Sequence, residues 1–292
     1  MRAFDILLGI LVAALWGGNY VASKFGIAHF SPFFFTALRY ASVALMLLPF
    51  VPRPNASQMK LIAMQAFALG VMHIALLVMS MQLGLGIASS AIVVQLGVPF
   101  SCLLGVFFLN DRIGRWRLGG MLVAFIGIAI VAGTPNISEH PLAFAVGVVS
   151  AFSWAVANLL VKRMGDISAL QLSAWMGVFA TPPLLLISAL FDPNQWVLIP
   201  TASPVIWLSI VYSSVGSTVI AYTLWYYLLR KYQVTQVSPF SLLAPVFGTA
   251  FGQIFFAEHL SLQLILGGLV TIGGVAVIIL RKPKIAVLGK DA

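Results

Sequence analysis

Ten apolar runs, each about the 20 residues that a helix needs to cross a hydrocarbon layer, dominate the chain. They fall at about 5–25, 32–50, 60–82, 86–109, 115–133, 141–162, 168–190, 204–229, 235–257 and 261–281. The connections are short and carry Pro, Gly or charge: Ser31-Pro32, Pro52-Arg53-Pro54-Asn55, Asn110-Asp111-Arg112, Thr134-Pro135-Asn136, Asp192-Pro193-Asn194 and Arg230-Lys231. None is long enough to fold as a separate soluble domain. Whatever the protein does is therefore expected to be done by the apolar helices themselves.

Composition agrees with that pattern. Apolar residues make up 61% of the chain and charged residues 8%, whereas a soluble domain carries roughly a quarter charged. The net charge of +9 would point to nucleic acid in a soluble protein. Here the basic residues sit in the short connections, so orientation in a bilayer explains them and no nucleic-acid partner is expected. The single Cys102 excludes an intrachain disulfide and a Cys-built metal site, and its simplest role is a small buried helix residue. Arg2 before an apolar run resembles a signal peptide. However, Asp5 interrupts the start, no clear small-x-small site follows, and the run resembles an internal segment, so a retained first span is expected.

Basic residues set the orientation. Fourteen of those outside span interiors (Arg2, Arg53, Lys60, Arg112, Arg115, Arg117, Lys162, Arg163, Arg230, Lys231, Arg281, Lys282, Lys284, Lys290) fall on the side shared by both termini, and only Lys24 falls opposite. This asymmetry predicts cytoplasmic termini. The chain also repeats itself. Trp16-Gly17-Gly18-Asn19-Tyr20-Val21-Ala22-Ser23-Lys24 returns as Trp154-Ala155-Val156-Ala157-Asn158-Leu159-Leu160-Val161-Lys162. At a rise of ~1.5 Å per residue, each Trp lies about 12 Å inside its basic end. Spans 4 and 9 also correspond: Pro99…Asn110-Asp111-Arg112-Ile113 matches Pro245…Ala257-Glu258-His259-Leu260, and Gly119-Gly120 and Gly267-Gly268 follow. Five spans separate the copies, an odd number, so the halves are inserted upside down relative to each other. The expected architecture is an all-α polytopic membrane protein of ten transmembrane helices in two inverted five-helix repeats, residues 1–134 and 135–292, the second ending in a short cytoplasmic tail. In such carriers substrate binds where the repeats meet, and rocking of the halves gives alternating access.

These two Trp…Asn…Lys helices, the Asn-Asp-Arg-Ile and Ala-Glu-His-Leu ends and the glycine-rich spans 5 and 10 resemble the EamA family of the drug/metabolite transporter superfamily. The likeness covers essentially the whole chain. Within that family Ala151-Phe152-Ser153-Trp154-Ala155-Val156-Ala157-Asn158 and Ile92-Val93-Val94-Gln95 are most similar to exporters of amino acids and cysteine-related metabolites. The resemblance implies an inner-membrane carrier that moves small metabolites outward.

Polar groups at membrane depth are the candidates for contact with substrate, because lipid penalises them unless they face a cavity or a partner. Trp16, Asn19, Arg39, His73, Gln95, Trp154, Asn158 and Tyr222 form the expected substrate-binding set. Ser213, Ser214, Ser217, Thr218, Ser238 and Ser241 add hydroxyls at that depth, although such residues commonly serve only helix packing or bond their own backbone. Asn19 and Asn158 fit helix bridging as well as substrate contact, and Trp16 and Trp154 fit core packing as well as a cavity wall. His73, near the middle of span 3, needs a polar neighbour. Arg39 is the one basic residue inside a span. It fits snorkelling, anchoring a substrate carboxylate, or pairing with a helix end. Trp225, Tyr226 and Tyr227, beside Arg230, look like an interfacial belt. Pro99 and Pro245 are candidate gating bends. Asp111 and Glu258, at span ends, are either caps and ion-pair partners or reciprocal gate latches.

No Asp or Glu lies at mid-membrane, so the usual carboxylate proton relay is missing. A proton-driven exporter would have to use His73; otherwise the protein is a facilitator, and the sequence leaves both open. No cofactor or metal is expected, and no enzymatic activity. A membrane enzyme acting on lipid-linked substrates would need clustered acids, His or Cys, but His29, His140 and His259 are scattered singly. No P-loop is present to drive transport with ATP, and nothing resembles the filter of a channel, although a passive metabolite pore remains an alternative. The partners expected are the bilayer and a small-molecule substrate. The glycines of spans 5 and 10 suit packing against each other or against a second subunit, so monomer and homodimer both stand.

Overall fold

The computed structural model describes residues 1–109, 114–161, 163–165, 167–232 and 237–280. Each apolar run is helical there, and no strand occurs among the described residues. In chain order the helices are α1 (Ala3–Ile27), α2 (Pro32–Leu47), α3 (Ala56–Gln82), α4 (87–109), α5 (Arg115–Ala132), α6 (Pro141–Val161), α7 (Ala169–Phe191), α8 (204–231), α9 (238–256) and α10 (Leu262–Leu280). Seven helical stretches among the described residues are long and apolar enough to cross a membrane, and shorter apolar helices cover Leu118–Ala132, Phe240–Phe256 and Leu262–Ile278. Large side chains face outward along them, including Phe50 (83% exposed) and Leu262 (71%). Such a surface is stable only against lipid.

Local chemistry sets the helix starts. Ser31 caps α2 by accepting from Phe34 N at 3.3 Å, and Pro32 supplies the fixed φ of a first turn. Ser168 does the same for α7, accepting from Gln171 N at 3.1 Å. Asn55 and Gln58 form a capping box at the start of α3.

Four of these helices are not α-helical throughout. α3 carries a nine-residue π segment, Phe67–Ala75, and α8 carries another, Tyr212–Ile220. α4 narrows to a 3₁₀ turn at Val94–Leu96, and α9 begins as one, Ser238–Leu242. In each case a proline, Pro99 or Pro245, is the third residue of the α-helical stretch that follows. Proline has no N–H for the carbonyl four residues back. The carbonyls of Gln95 and Ser241 therefore lose their α-helical donor where the winding tightens.

The principal contacts are α1 with α9, α4 with α6, α3 with α6, α8 with α1, α2 with α7 and α5 with α10. Moving every helix number by five returns the same set of pairs. Contact at α5–α10 is backbone to backbone. A Cβ on Gly127 would lie 2.3 Å from Thr271 Oγ1 and 2.4 Å from Thr271 N, and one on Gly274 would lie 2.5 Å from Ala124 N. Small residues permit this approach, which dispersion then rewards. Interior packing between α2, α3, α6 and α7 is filled by Tyr40, Ile62, Leu69, Leu160, Leu172 and Leu184. Phe30, Phe34, Phe35, Val78 and Ile206 fill the space where α2, α3 and α8 meet.

Candidate functional site

Arg39 is the eighth residue of α2, which places its Cα roughly 10 Å from the start of that helix. The residue is only 3% exposed. Its guanidinium points into the bundle rather than along the lipid face. Nε and Nη2 donate to Thr218 Oγ1 at 3.1 and 2.8 Å, and Nη1 donates to Asn19 Oδ1 at 3.4 Å. Ser214 Oγ donates to the Arg39 carbonyl at 3.1 Å. The guanidinium lies 5.8 Å from the centre of the Tyr40 ring. α1 and α8 thus grip one cation delivered by α2. Among the described residues the ion pairs are Lys24–Glu258 and Lys231–Asp5, so no carboxylate there neutralises Arg39.

Aromatic rings stand beside this cation. Trp16, one turn before Asn19, packs against Tyr222 at 5.6 Å and Trp225 at 5.1 Å between ring centres. Tyr222 and Trp225 are three residues apart and so share a face of α8. That spacing was available in the sequence, but proximity to Arg230 pointed to the interfacial belt instead. Tyr212 OH donates to the Leu15 carbonyl at 3.1 Å. The hydroxyl reaches α1 because Gly18 has no Cβ; one placed there would lie 2.3 Å from it.

His73 ties α3 to α6. Nδ1–H donates to the Ser150 carbonyl at 2.9 Å, and Ser150 Oγ donates back to the His73 carbonyl at 2.9 Å. The first bond fixes the proton on Nδ1, since a carbonyl can only accept. Nε2 has no hydrogen-bond partner among the described residues. His73 and Thr218 are each the seventh residue of their nine-residue π segments, and such segments recur at functional sites. Thr218 belongs to the hydroxyls that the sequence placed at depth, without a particular task. Ser150 had no sequence signal beyond being a serine in an apolar run.

The remaining predicted residues are more dispersed. Trp154 rests on Gly97 of α4, where a Cβ would come within 2.5 Å of its ring. Gln95 lies in the 3₁₀ turn of α4 just before that contact. Neither the Gln95 nor the Asn158 side chain forms a hydrogen bond among the described residues. Asn19, Arg39, Tyr222 and Trp16 therefore form one group, and His73 is tied separately to Ser150 of α6. Trp154 and Gln95 form a second contact region on α4 and α6.

Both ends of α1 are tied. Near its C-terminus Lys24 Nζ lies 2.8 Å from Glu258 Oε1 and 4.4 Å from the centre of the Phe256 ring. Glu258 also accepts from the first backbone N–H groups of α4, Ile87 N at 2.9 Å and Ala88 N at 3.2 Å. It thus serves as the cap that Gly86 cannot supply. Ala257, at φ 48°, turns the chain so that the carboxylate arrives there. At the other end Asp5 is paired with Lys231 at 2.9 Å and hydrogen-bonded by Tyr232 OH. Asp111 lies outside the described residues.

No group of three or more His, Cys, Asp or Glu suited to a metal occurs among the described residues. The arrangement is a polytopic helical membrane bundle with polar groups gathered at depth. Comparison with known proteins identifies its class. The model of the EamA-like transporter family matches residues 3–133 and again 142–280, so the chain belongs to that family, a branch of the drug/metabolite transporter superfamily. Its members are transporters, not enzymes. A "Probable amino-acid metabolite efflux pump" of Salmonella typhimurium is 28% identical over 282 residues, covering 94% of each chain. The protein of that name from Escherichia coli is 27% identical with the same coverage. An S-adenosylmethionine/S-adenosylhomocysteine transporter of Chlamydia trachomatis is 25% identical, covering 87% of this chain and 82% of its own. A crystal structure of a protein shares the fold at a TM-score of 0.65, with 19% identity over 95% of this chain and 96% of that one.

Proposed function

We propose that the protein is a secondary carrier that exports amino acids or closely related metabolites across the bacterial inner membrane by alternating access. In this reading the ten helices form two inverted repeats, residues 1–134 and 135–292, with both termini cytoplasmic. Pairing of helices that is unchanged by a shift of five supports the repeat, as do the matched π segments and matched prolines. The names of the relatives support a metabolite as cargo. Export as the direction rests on those names and on the likeness to exporters.

The observation that carries the reading is Arg39. A buried cation held by neutral groups from α1 and α8 is expensive in a membrane unless it has work to do. A substrate carboxylate is its natural bidentate partner. Trp16, Asn19 and Tyr222 line that site, Gln95, Trp154 and Asn158 extend it across the second contact region, and Pro99 and Pro245 are the bends about which α4 and α9 move. Glu258 with Lys24 latches one mouth, and Asp111 is assigned the corresponding place at the other. A proton-driven form of the carrier takes its proton at His73, and a facilitator does not respond to pH.

Efflux from proteoliposomes preloaded with a labelled amino-acid panel tests this, with and without a pH gradient. Some panel members should leave faster than from protein-free vesicles, and Arg39→Gln should abolish the difference. His73→Ala should remove any response to the gradient. The reading falls if no panel member moves through correctly folded protein, or if Arg39→Gln transports like the parent.

A further inference from the structure

The charge inventory of the site narrows its substrate class. The whole sequence holds seven acidic residues: Asp5, Asp111, Glu139, Asp166, Asp192, Glu258 and Asp291. Every one falls at the end of an apolar run or outside it. Asp5 and Glu258 are already paired with Lys231 and Lys24. The groups that hold Arg39 are neutral, the Thr218 hydroxyl and the Asn19 amide, and the Trp16–Tyr222 pair one turn along α1 is uncharged as well. In the same π segment, Ser213 Oγ is buried with no hydrogen-bond partner among the described residues. The site therefore offers one fixed cation, several neutral donors and acceptors, and no anion.

An α-amino acid brings a carboxylate and, two bonds away, an ammonium. Seating the carboxylate on Arg39 pushes the ammonium toward a like charge in a medium of low dielectric, with no carboxylate to receive it. A hydroxyl, an oxo group or an acylated nitrogen at that position carries no charge, and neutral amides and hydroxyls can satisfy it directly. Resting on the carrier reading above, we infer that the site selects the carboxylate and does not require the α-ammonium. Its substrate class is carboxylates with an apolar tail, including deaminated and N-acylated relatives of amino acids.

The test uses the full-length protein in proteoliposomes and four molecules with one tail: leucine, 2-hydroxy-4-methylpentanoate, N-acetylleucine and 3-methylbutylamine. Each efflux rate is corrected for leak through protein-free vesicles. The hydroxy acid and the acetylated acid should leave at least as fast as leucine. The amine should be slower than they are by about tenfold or more, the factor expected from one lost charge-assisted hydrogen bond. Arg39→Lys, which keeps the charge, should preserve the preference for acid over amine at a reduced rate. That holds even if Arg39→Gln does not fold. Faster movement of the amine, or of leucine with both ammonium-free acids at leak level, overturns the inference and leaves the carrier intact. Movement of the acids, with no amino acid of the wider panel moving, sustains it and overturns the amino-acid reading. No movement of either overturns both.

Discussion

Removing the hydroxyl of Thr218 is the most direct probe of the Arg39 site. Valine has nearly the same shape, so Thr218→Val leaves no cavity but deletes the oxygen that accepts from Nε and Nη2 at 3.1 and 2.8 Å. Hydrogen bonds to charged groups are worth about 1.5–3 kcal/mol each in water-soluble proteins. Interhelical bonds in membranes average nearer ~0.6, with a maximum near ~1.7 kcal/mol. Arg39 is charged and buried, so the upper part of the membrane range applies to each bond, and the loss should total about 2–3 kcal/mol. Thr218→Ser keeps the oxygen and loses a methyl group, for about 1 kcal/mol. Unfolding by titration with SDS in mixed micelles, followed by far-UV circular dichroism, resolves the difference. The coupling should be specific: in an Arg39→Met background the same Thr218→Val change should cost less than about 0.5 kcal/mol. Equal stability of the valine and serine variants, or an undiminished cost in the Arg39→Met background, would refute the claim that Thr218 holds the cation.

Other perturbations read different parts of the bundle. Gly127→Ala drives a Cβ into Thr271 and should destabilise the α5–α10 contact by about 1–3 kcal/mol in the same titration. Gly119→Ala, which meets nothing within 4 Å, should be neutral or slightly stabilising. Ala257→Gly relieves a left-handed residue and should raise stability by about 1 kcal/mol, visible as a later SDS midpoint. Glu258→Ala removes both the Lys24 partner and the cap of α4. It should cost about 1–2 kcal/mol and make a cysteine introduced at Tyr20, in a Cys102→Ala background, react faster with a membrane-impermeant thiol reagent added outside. Unchanged labelling would show that Glu258 is a cap without a latching role.

Much of the helical layout could be read from the chain because lipid imposes a coarse rule: long apolar runs become helices, and connections such as Ser31-Pro32 and Pro52-Arg53-Pro54-Asn55 mark the breaks between them. The departures from α-helix could not be read. Nothing in Phe67–Ala75 or Tyr212–Ile220 distinguishes them from ordinary apolar helix, because a π segment is a shift in backbone hydrogen bonding with no residue signature. Arg39 stood out as a charge inside a span, but three destinies fitted it. Its partner Thr218 is 179 residues away, and no periodicity along α2 reports on α8. Trp225 was misleading for a related reason. Its neighbours in sequence suggested the membrane surface, whereas the face it shares with Tyr222 turns it toward Trp16.

Those two π segments also bear on how the chain tolerates change in length. Successive residues of an α-helix are turned by about 100°, so one residue more or less in a continuous helix rotates everything beyond it by that angle. A wider winding absorbs one extra residue locally, and deleting a residue within 67–75 or 212–220 would let the helix close into ordinary α geometry. Hydropathy would be almost unchanged. The Tyr222–Trp225 face of α8 would still meet Trp16, and Val78 and Met81 of α3 would keep their contacts, whereas the same deletion in an α-helical stretch just before them would turn them away. The positions of these side chains are thus a matter of angular phase, which a single codon could reset without altering any neighbour's identity.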